Sequence, residues 1–309
     1  MTEASPPSPL LTCTDLSSAS GLAVCRASQL AQAMQVSWTV LHVHGGSALD
    51  ELCDWLGLGS TQANDAQQAL VQAAREEVQA WLAHTLPTTG PGADRMAVDV
   101  RSGHVLAEVT AAVQRLAPSL VVVGARGEGD LRHMVVGSTA ERLLRRTLQP
   151  LLVVRQPTKG AYQRVLVPVD FSPWSAATLN TVRRLLPKAH LVLLHAWSIP
   201  LEGKLHLAGV DDDTVAHYRQ QAHAQAQQQL QQLAQTQGLV DSEWTPCLVQ
   251  GDASHTILAQ AEQRSCDLIA LGKHGRHVAE DLLLGSVTKH TLAEAELDVL
   301  VCTLRRPAA

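Results

Sequence analysis

Hydrophobic and polar positions alternate between two regimes along this chain. Short, nearly continuous apolar runs of four to six residues are separated by longer stretches in which apolar residues recur every three to four positions. The first regime fits strands buried on both faces and the second fits amphipathic helices. The pattern predicts strands over 10–14, 38–43, 95–100, 120–123 and 151–155, and helices over 19–35, 63–84, 104–116 and 139–148. In the second helix Val71, Ala74, Val78, Trp81 and Leu82 share a face, and in the third Val105, Val109, Val113 and Leu116 do. The same succession then returns. Strands are predicted over 164–169, 191–196, 244–249, 267–271 and 299–303, and helices over 175–186, 214–237, 256–264 and 287–294. The glutamine-rich stretch from Gln220 to Gln237 belongs to a helix whose inward face is Tyr218, Ala222, Ala226, Leu230 and Leu233.

Particular residues repeat along with the pattern. Asp15 and Asp170 each close the first strand of their half, and His42 and His195 each sit near the end of the second. After the fourth strand comes the spacing G-x2-G-x9-G-S, once as Gly124, Gly127, Gly137-Ser138 and once as Gly272, Gly275, Gly285-Ser286. Two matches at equivalent places point to a duplicated domain. The chain divides into a disordered lead-in over 1–9, a first domain over 10–156, a linker over 157–162 containing Gly160, and a second domain over 163–306. Alternating strands and helices place the fold in the α/β class, with a parallel sheet covered on both faces. A crevice then forms at the carboxyl ends of the strands, where the winding direction reverses.

Composition narrows the chemistry. The 309 residues are 46% hydrophobic and carry a formal charge of −5, which argues against a nucleic-acid surface. Aromatic residues make up 3%, too few for base-stacking platforms. No apolar run reaches the length of a membrane span, and 1–9 lacks the apolar core of a targeting peptide. The six cysteines form no C-x-x-C pair, as expected of free thiols in a reducing cytoplasm. The fourteen histidines include no H-E-x-x-H, so a metal site is not expected. Asp211, Asp212 and Asp213 precede a helix and read as a solvated cap.

A strand that breaks at a glycine loop and restarts as a helix at Gly-Ser has the parts of an anion site. Glycine admits close approach to the backbone, and the first turn of the helix supplies unpaired N–H groups at a positive dipole end. There is no G-x4-G-K-[ST], and the glycines follow the fourth strand, so neither a Walker loop nor a dinucleotide fingerprint is present. Asp15 and Asp170 can equally serve as helix caps, a role compatible with ligand contact.

The segments Val165-Leu-Val-Pro-Val-Asp170-Phe-Ser, Leu193-Leu-His195, Val249-Gln-Gly251-Asp, 267–276 and Gly285-Ser286-Val-Thr resemble a universal stress protein domain, and the first half resembles one too. The resemblance implies two tandem doubly wound domains. Each would be a five-stranded parallel sheet in the order 3-2-1-4-5 with helices on both faces, and the two would pair within one chain, with homodimerisation open. It also implies ATP, with Mg²⁺, at the switch point. In the second domain the ATP-binding residues would be Asp170, Ala196, Gly272, Gly275, Arg276, Gly285, Ser286 and Val287. In the first they would be Asp15, Val43, Gly124, Gly127, Gly137, Ser138 and Thr139. Glu128 and Asp130 burden the first loop with negative charge, whereas Lys273, His274 and Arg276 would attract a triphosphate, so the second domain is the expected principal site. Lys273 and His277 depart from the small hydroxyl residues usual there. No base for activating water is evident, which implies at most slow ATP hydrolysis. The expected role is an ATP-binding, cytoplasmic stress or energy-state switch acting on protein partners. The alternative is a nucleotide-free adaptor on the same fold.

Overall fold

The computed structural model describes residues 8–45, 60–86, 93–125, 138–198, 210–275 and 284–304. Gly127, Gly137, Glu128, Asp130, Arg276, His277 and Cys53 lie outside them, as do most of the lead-in and the side chain of Ser138. The chain divides into two compact units between Ala161 and Tyr162.

In the first unit β1 (Leu10–Thr14), α1 (Ser18–Met34), β2 (Trp38–Gly45), α2 (Ser60–Thr85), β3 (Met96–Gly103), α3 (Val105–Leu116), β4 (Leu120–Gly124), α4 (Ser138–Arg146) and β5 (Leu151–Val154) follow in order. The strands are parallel where paired and run β3-β2-β1-β4-β5 across the sheet. The second unit repeats the plan with β6 (Arg164–Pro168), α5 (Pro173–Leu185), β7 (His190–Trp197), α6 (Asp212–Thr236), β8 (Trp244–Gln250), α7 (Ala253–Gln263), β9 (Leu268–Gly272), α8 (Ser286–Glu294) and β10 (Asp298–Cys302). Its order is β8-β7-β6-β9-β10, again all parallel. The order 3-2-1-4-5 therefore holds in each half.

The apolar runs are buried on both faces of each sheet. Leu10, Leu11, Val121, Leu151, Leu166, Val167, Leu193 and Val301 are all at or near zero exposure. A Leu or Val buried in this way contributes about 1.5–3 kcal/mol. In two helices the buried face matches the expected one only in part. Val105 is 41% exposed, and Leu106, Val109, Ala112 and Val113 form the inner face of α3. Val105 is the first residue of the helix, directly after the His104 N-cap, and stands exposed, while Val109 and Val113 are buried as their spacing suggests. In α6, Tyr218 is 46% exposed and the buried positions are Val215, Ala226, Leu230 and Ala234. Tyrosine tolerates an exposed position because its hydroxyl is hydrated there. Asp211 caps α6 by accepting from the Thr214 N–H at 2.8 Å, and these hydrogen bonds hold its carboxyl below the usual range.

The segment before β6 is anchored rather than loose at its end. Tyr162 is buried, and its hydroxyl bonds the carboxylate of Asp298, itself only 1% exposed at the start of β10. In the first unit, Arg26 is buried in α1 and donates to the carbonyl of Gly160 at 2.8 Å.

Candidate functional site

In both units β1 or β6 lies between a strand reached by one crossover and a strand reached by the return. Such a switch point opens a crevice at the carboxyl ends of the strands. In the second unit this crevice is a cavity of about 290 Å³. Its walls include Val169 and Asp170 after β6, Leu194 to Ala196 on β7, Leu271 and Gly272 on β9, and Gly285 to Thr288 at the head of α8. Asp170, Ala196, Gly272, Gly275, Gly285, Ser286 and Val287, the expected site residues that fall in the described part of this domain, all line it.

Asp170 is set by a turn of its own making. Its Oδ1 accepts from the Ser172 N–H at 3.0 Å, from the Ser172 hydroxyl at 2.6 Å and from the Ser175 hydroxyl at 2.8 Å. Its own N–H donates to Ser175 Oγ at 3.0 Å. Phe171, between the aspartate and the first serine, takes a φ of 60°, in the left-handed region that bulky residues avoid. The carboxylate faces the glycine loop, since a Cβ placed on Gly275 would stand 2.9 Å from Asp170 Oδ2.

The three glycines have different reasons to be glycine. A Cβ on Gly272 would lie 3.0 Å from Cβ of Trp174 and 3.1 Å from the His274 carbonyl, so this glycine lets α5 pack against the end of β9. Gly275 makes room for Asp170. Gly285 is the N-cap of α8 and offers no side chain to cap its first turn. The first amides of α8, Ser286 and Val287, then belong to the group that a helix leaves for a ligand or water. The N–H of Gly285 itself is taken up by the Lys273 carbonyl at 3.0 Å. The Thr288 hydroxyl donates to the Gly272 carbonyl at 2.9 Å and fixes the head of α8 to the strand end.

Lys273 differs from expectation. Its side chain is 3% exposed and is not part of the cavity wall. His274 does line the cavity, with its ring edge-on to Trp174 at 4.7 Å between centroids. Trp174, Ala253 and Ile257 are wall residues that motif reading passes over. Their signal was positional, because the first turns of α5 and α7 must open toward the strand ends. Next to the site, burial pushes the Cys302 thiol up to about 12, so it is no nucleophile at neutral pH.

The first unit repeats the turn. Asp15 Oδ1 accepts from the Ser17 N–H at 3.1 Å, Leu16 has a φ of 66°, and Ser17 caps α1. Asp15 follows β1, Val43 lies on β2 next to it, Gly124 ends β4, and Ser138 and Thr139 open α4. A Cβ on Gly124 would come within 2.7 Å of the Ala19 carbonyl oxygen, so this glycine too is required by helix packing. Among the described residues no group of three or more His, Cys, Asp or Glu side chains could hold a metal ion, and no helix is long and apolar enough to cross a membrane.

The sequence model of the universal stress protein family matches residues 8–155 and 161–303. Among curated relatives, a universal stress protein of Mycobacterium tuberculosis is 26% identical over 219 residues, which are 68% of this chain and 66% of that protein. Another from the same species is 29% identical over 190 residues, 59% of this chain and 61% of its own length. The chain thus spans slightly under two thirds of these relatives. Among solved structures, a universal stress protein from Archaeoglobus fulgidus superposes with a TM-score of 0.58 at 19% identity, covering 96% of this chain and 98% of its own. A functionally unknown protein from Pseudomonas aeruginosa gives 0.60 at 17%, covering 96% and 92%. At those identities the likeness is one of fold.

Proposed function

From the premise that the chain belongs to the universal stress protein family, we propose that its second domain binds ATP, with Mg²⁺, and acts as a nucleotide-dependent switch. The observation that carries this reading is the convergence on one cavity of Asp170, the Ala196 strand end, the cradle at Gly272 and Gly275, and the uncapped head of α8 at Ser286 and Val287. The fit is chemical as well as spatial. The carboxylate suits the hydroxyls of a ribose, the apolar wall of Leu194, Ile257 and Leu271 suits a nucleobase, and the α8 amides suit phosphate oxygens. Arg276 would add a phosphate contact. Asp15, Val43, Gly124, Gly127, Gly137, Ser138 and Thr139 would form the lesser site of the first domain.

Binding, with at most slow hydrolysis, follows from how the wall is hydrogen-bonded. The Asp170 carboxylate is engaged by two serines, His195 Nδ1 by the Val169 carbonyl, and the Thr288 hydroxyl by the Gly272 carbonyl. These groups shape the cavity and are poorly placed to take a proton from water. ATP supplies the triphosphate charge, and the chain's amides and charges would read it. We place the protein in the cytoplasm, where free thiols such as Cys247, Cys266 and Cys302 stay reduced, with protein partners as its output.

The test is denaturing extraction of the purified protein, mass spectrometry of the released small molecules, and titration with ATP. Gly285→Trp should block binding by bulk. Ser286→Glu should weaken it more than tenfold by charge, while leaving α8 stable because an acid suits a helix head. No co-purified nucleotide and no saturable ATP binding by the wild type would replace this reading with the nucleotide-free adaptor.

A further inference from the structure

The aspartate turn occurs twice, and each time a histidine from the neighbouring strand holds it. His195 Nδ1 lies 2.8 Å from the Val169 carbonyl oxygen, and His42 Nδ1 lies 2.9 Å from the Thr14 carbonyl oxygen. The acceptor in both is the peptide oxygen immediately before the aspartate, so each imidazole presents Nδ1–H there. In the second unit the clamp has another arm, because the Phe171 ring packs on the His195 ring with centroids 4.4 Å apart. The residue before Asp170 and the residue after it are thus both held by one side chain.

That matters because the turn is strained. A non-glycine residue in the left-handed region costs about 1–2 kcal/mol, and here leucine and phenylalanine occupy it at 66° and 60°. Without an outside restraint the turn would relax, and the carboxylate would leave the narrow space against Gly275. We infer that His195 is a positioning residue for Asp170, and His42 for Asp15: each clamps the carbonyl ahead of a strained turn so that the aspartate is presented to the crevice before any ligand arrives. The binding part of this inference rests on the nucleotide reading. The clamp itself does not.

Side-chain geometry gives the test. Asparagine places its Nδ2 where histidine has Nδ1, whereas glutamine reaches to the position of Nε2. His195→Asn should therefore retain the clamp, and His195→Ala and His195→Gln should lose it. In the ligand-free protein, amide hydrogen exchange at Ser172, whose N–H is donated to Asp170, should quicken about tenfold in the alanine and glutamine variants and stay near wild type in the asparagine variant, one net hydrogen bond being worth about that much. His42→Ala should do the same at Ser17. Unchanged protection, or equal loss in all three variants, would overturn the inference whether or not the protein binds nucleotide.

For the full chain with ATP, His195→Ala should weaken binding about tenfold in the wild-type background and by less than twofold in an Asp170→Ala background, because the histidine acts through the aspartate. Equal losses in both backgrounds would show that His195 contacts the ligand itself. A wild type that ignores ATP would remove the nucleotide reading but leave the exchange result standing.

Discussion

Replacing Gly275 by alanine tests whether the crevice depends on a carboxylate pressed against bare backbone. Gly275 is not among the described glycines with positive φ, which are Gly103, Gly160, Gly238 and Gly251. Alanine is therefore conformationally allowed, and its effect is one of space. The new methyl carbon would stand 2.9 Å from Asp170 Oδ2, well inside the 3.4–4 Å of ordinary contact, so one of the two must shift. The carboxylate cannot yield cheaply, since its other oxygen holds hydrogen bonds of 2.6, 2.8 and 3.0 Å to Ser172 and Ser175. Giving up or stretching one of them costs about 1 kcal/mol, and overpacking of this kind costs about 1–3 kcal/mol in total. Gly275→Ala should thus weaken ATP binding by about ten- to a hundredfold while lowering stability by no more than about 3 kcal/mol. Gly45→Ala is the control. Among the described residues nothing lies within 4 Å of its added methyl, so binding should be unchanged. Isothermal titration with ATP and urea denaturation of both variants measure the two quantities. A Gly275→Ala protein that binds like wild type would refute the packed contact between Asp170 and the loop.

Other consequences are testable together. Leu106→Ala should cost about 2–5 kcal/mol by urea denaturation and Val105→Ala less than about 0.5 kcal/mol, because only Leu106 faces the core. Tyr162→Phe removes a hydrogen bond to the buried Asp298 carboxylate and should destabilise by about 1–3 kcal/mol, with urea denaturation as the measure. Burial pushes the thiols of Cys13 and Cys302 up to about 12, from an ordinary value of 9.0. The folded state therefore holds these protons more tightly than the unfolded state. Stability is unaffected below pH 9 and falls as pH rises from there, by about 1.4 kcal/mol per pH unit for each thiol. Cys302→Ala should make the alkaline decline of the melting temperature shallower.

The strands were legible because they are buried on both faces and read as unbroken apolar runs. β1 over Leu10–Thr14 is found where the pattern put it, and the other described strands fall within about three residues of theirs. Helix faces were less legible. Val109 and Val113 lie inside as their spacing suggests, but periodicity does not show that Val105, at the first position of its helix, is exposed while Leu106 is buried. Tyr218 fits the spacing of the inward face of α6, yet its hydroxyl lets it remain outside. In the site, the duplicated spacing marked Gly272, Gly275 and Gly285 but not their separate duties, which depend on what packs against each: Trp174, Asp170 and the Lys273 carbonyl. The charge of Lys273 suggested attraction to phosphate, but charge in a sequence carries no direction, and this residue is buried and does not line the cavity. The histidine clamp could not be read from sequence, because it joins a side chain on β7 to a carbonyl at the end of β6.

The most direct test of the central claim is to titrate the isotopically labelled chain with ATP and follow its backbone amide resonances. Saturable shifts concentrated at Ala196, Gly275, Ser286 and Val287 are predicted. Resonances that stay in place through millimolar ATP, or that move only at residues remote from this cavity, would contradict it.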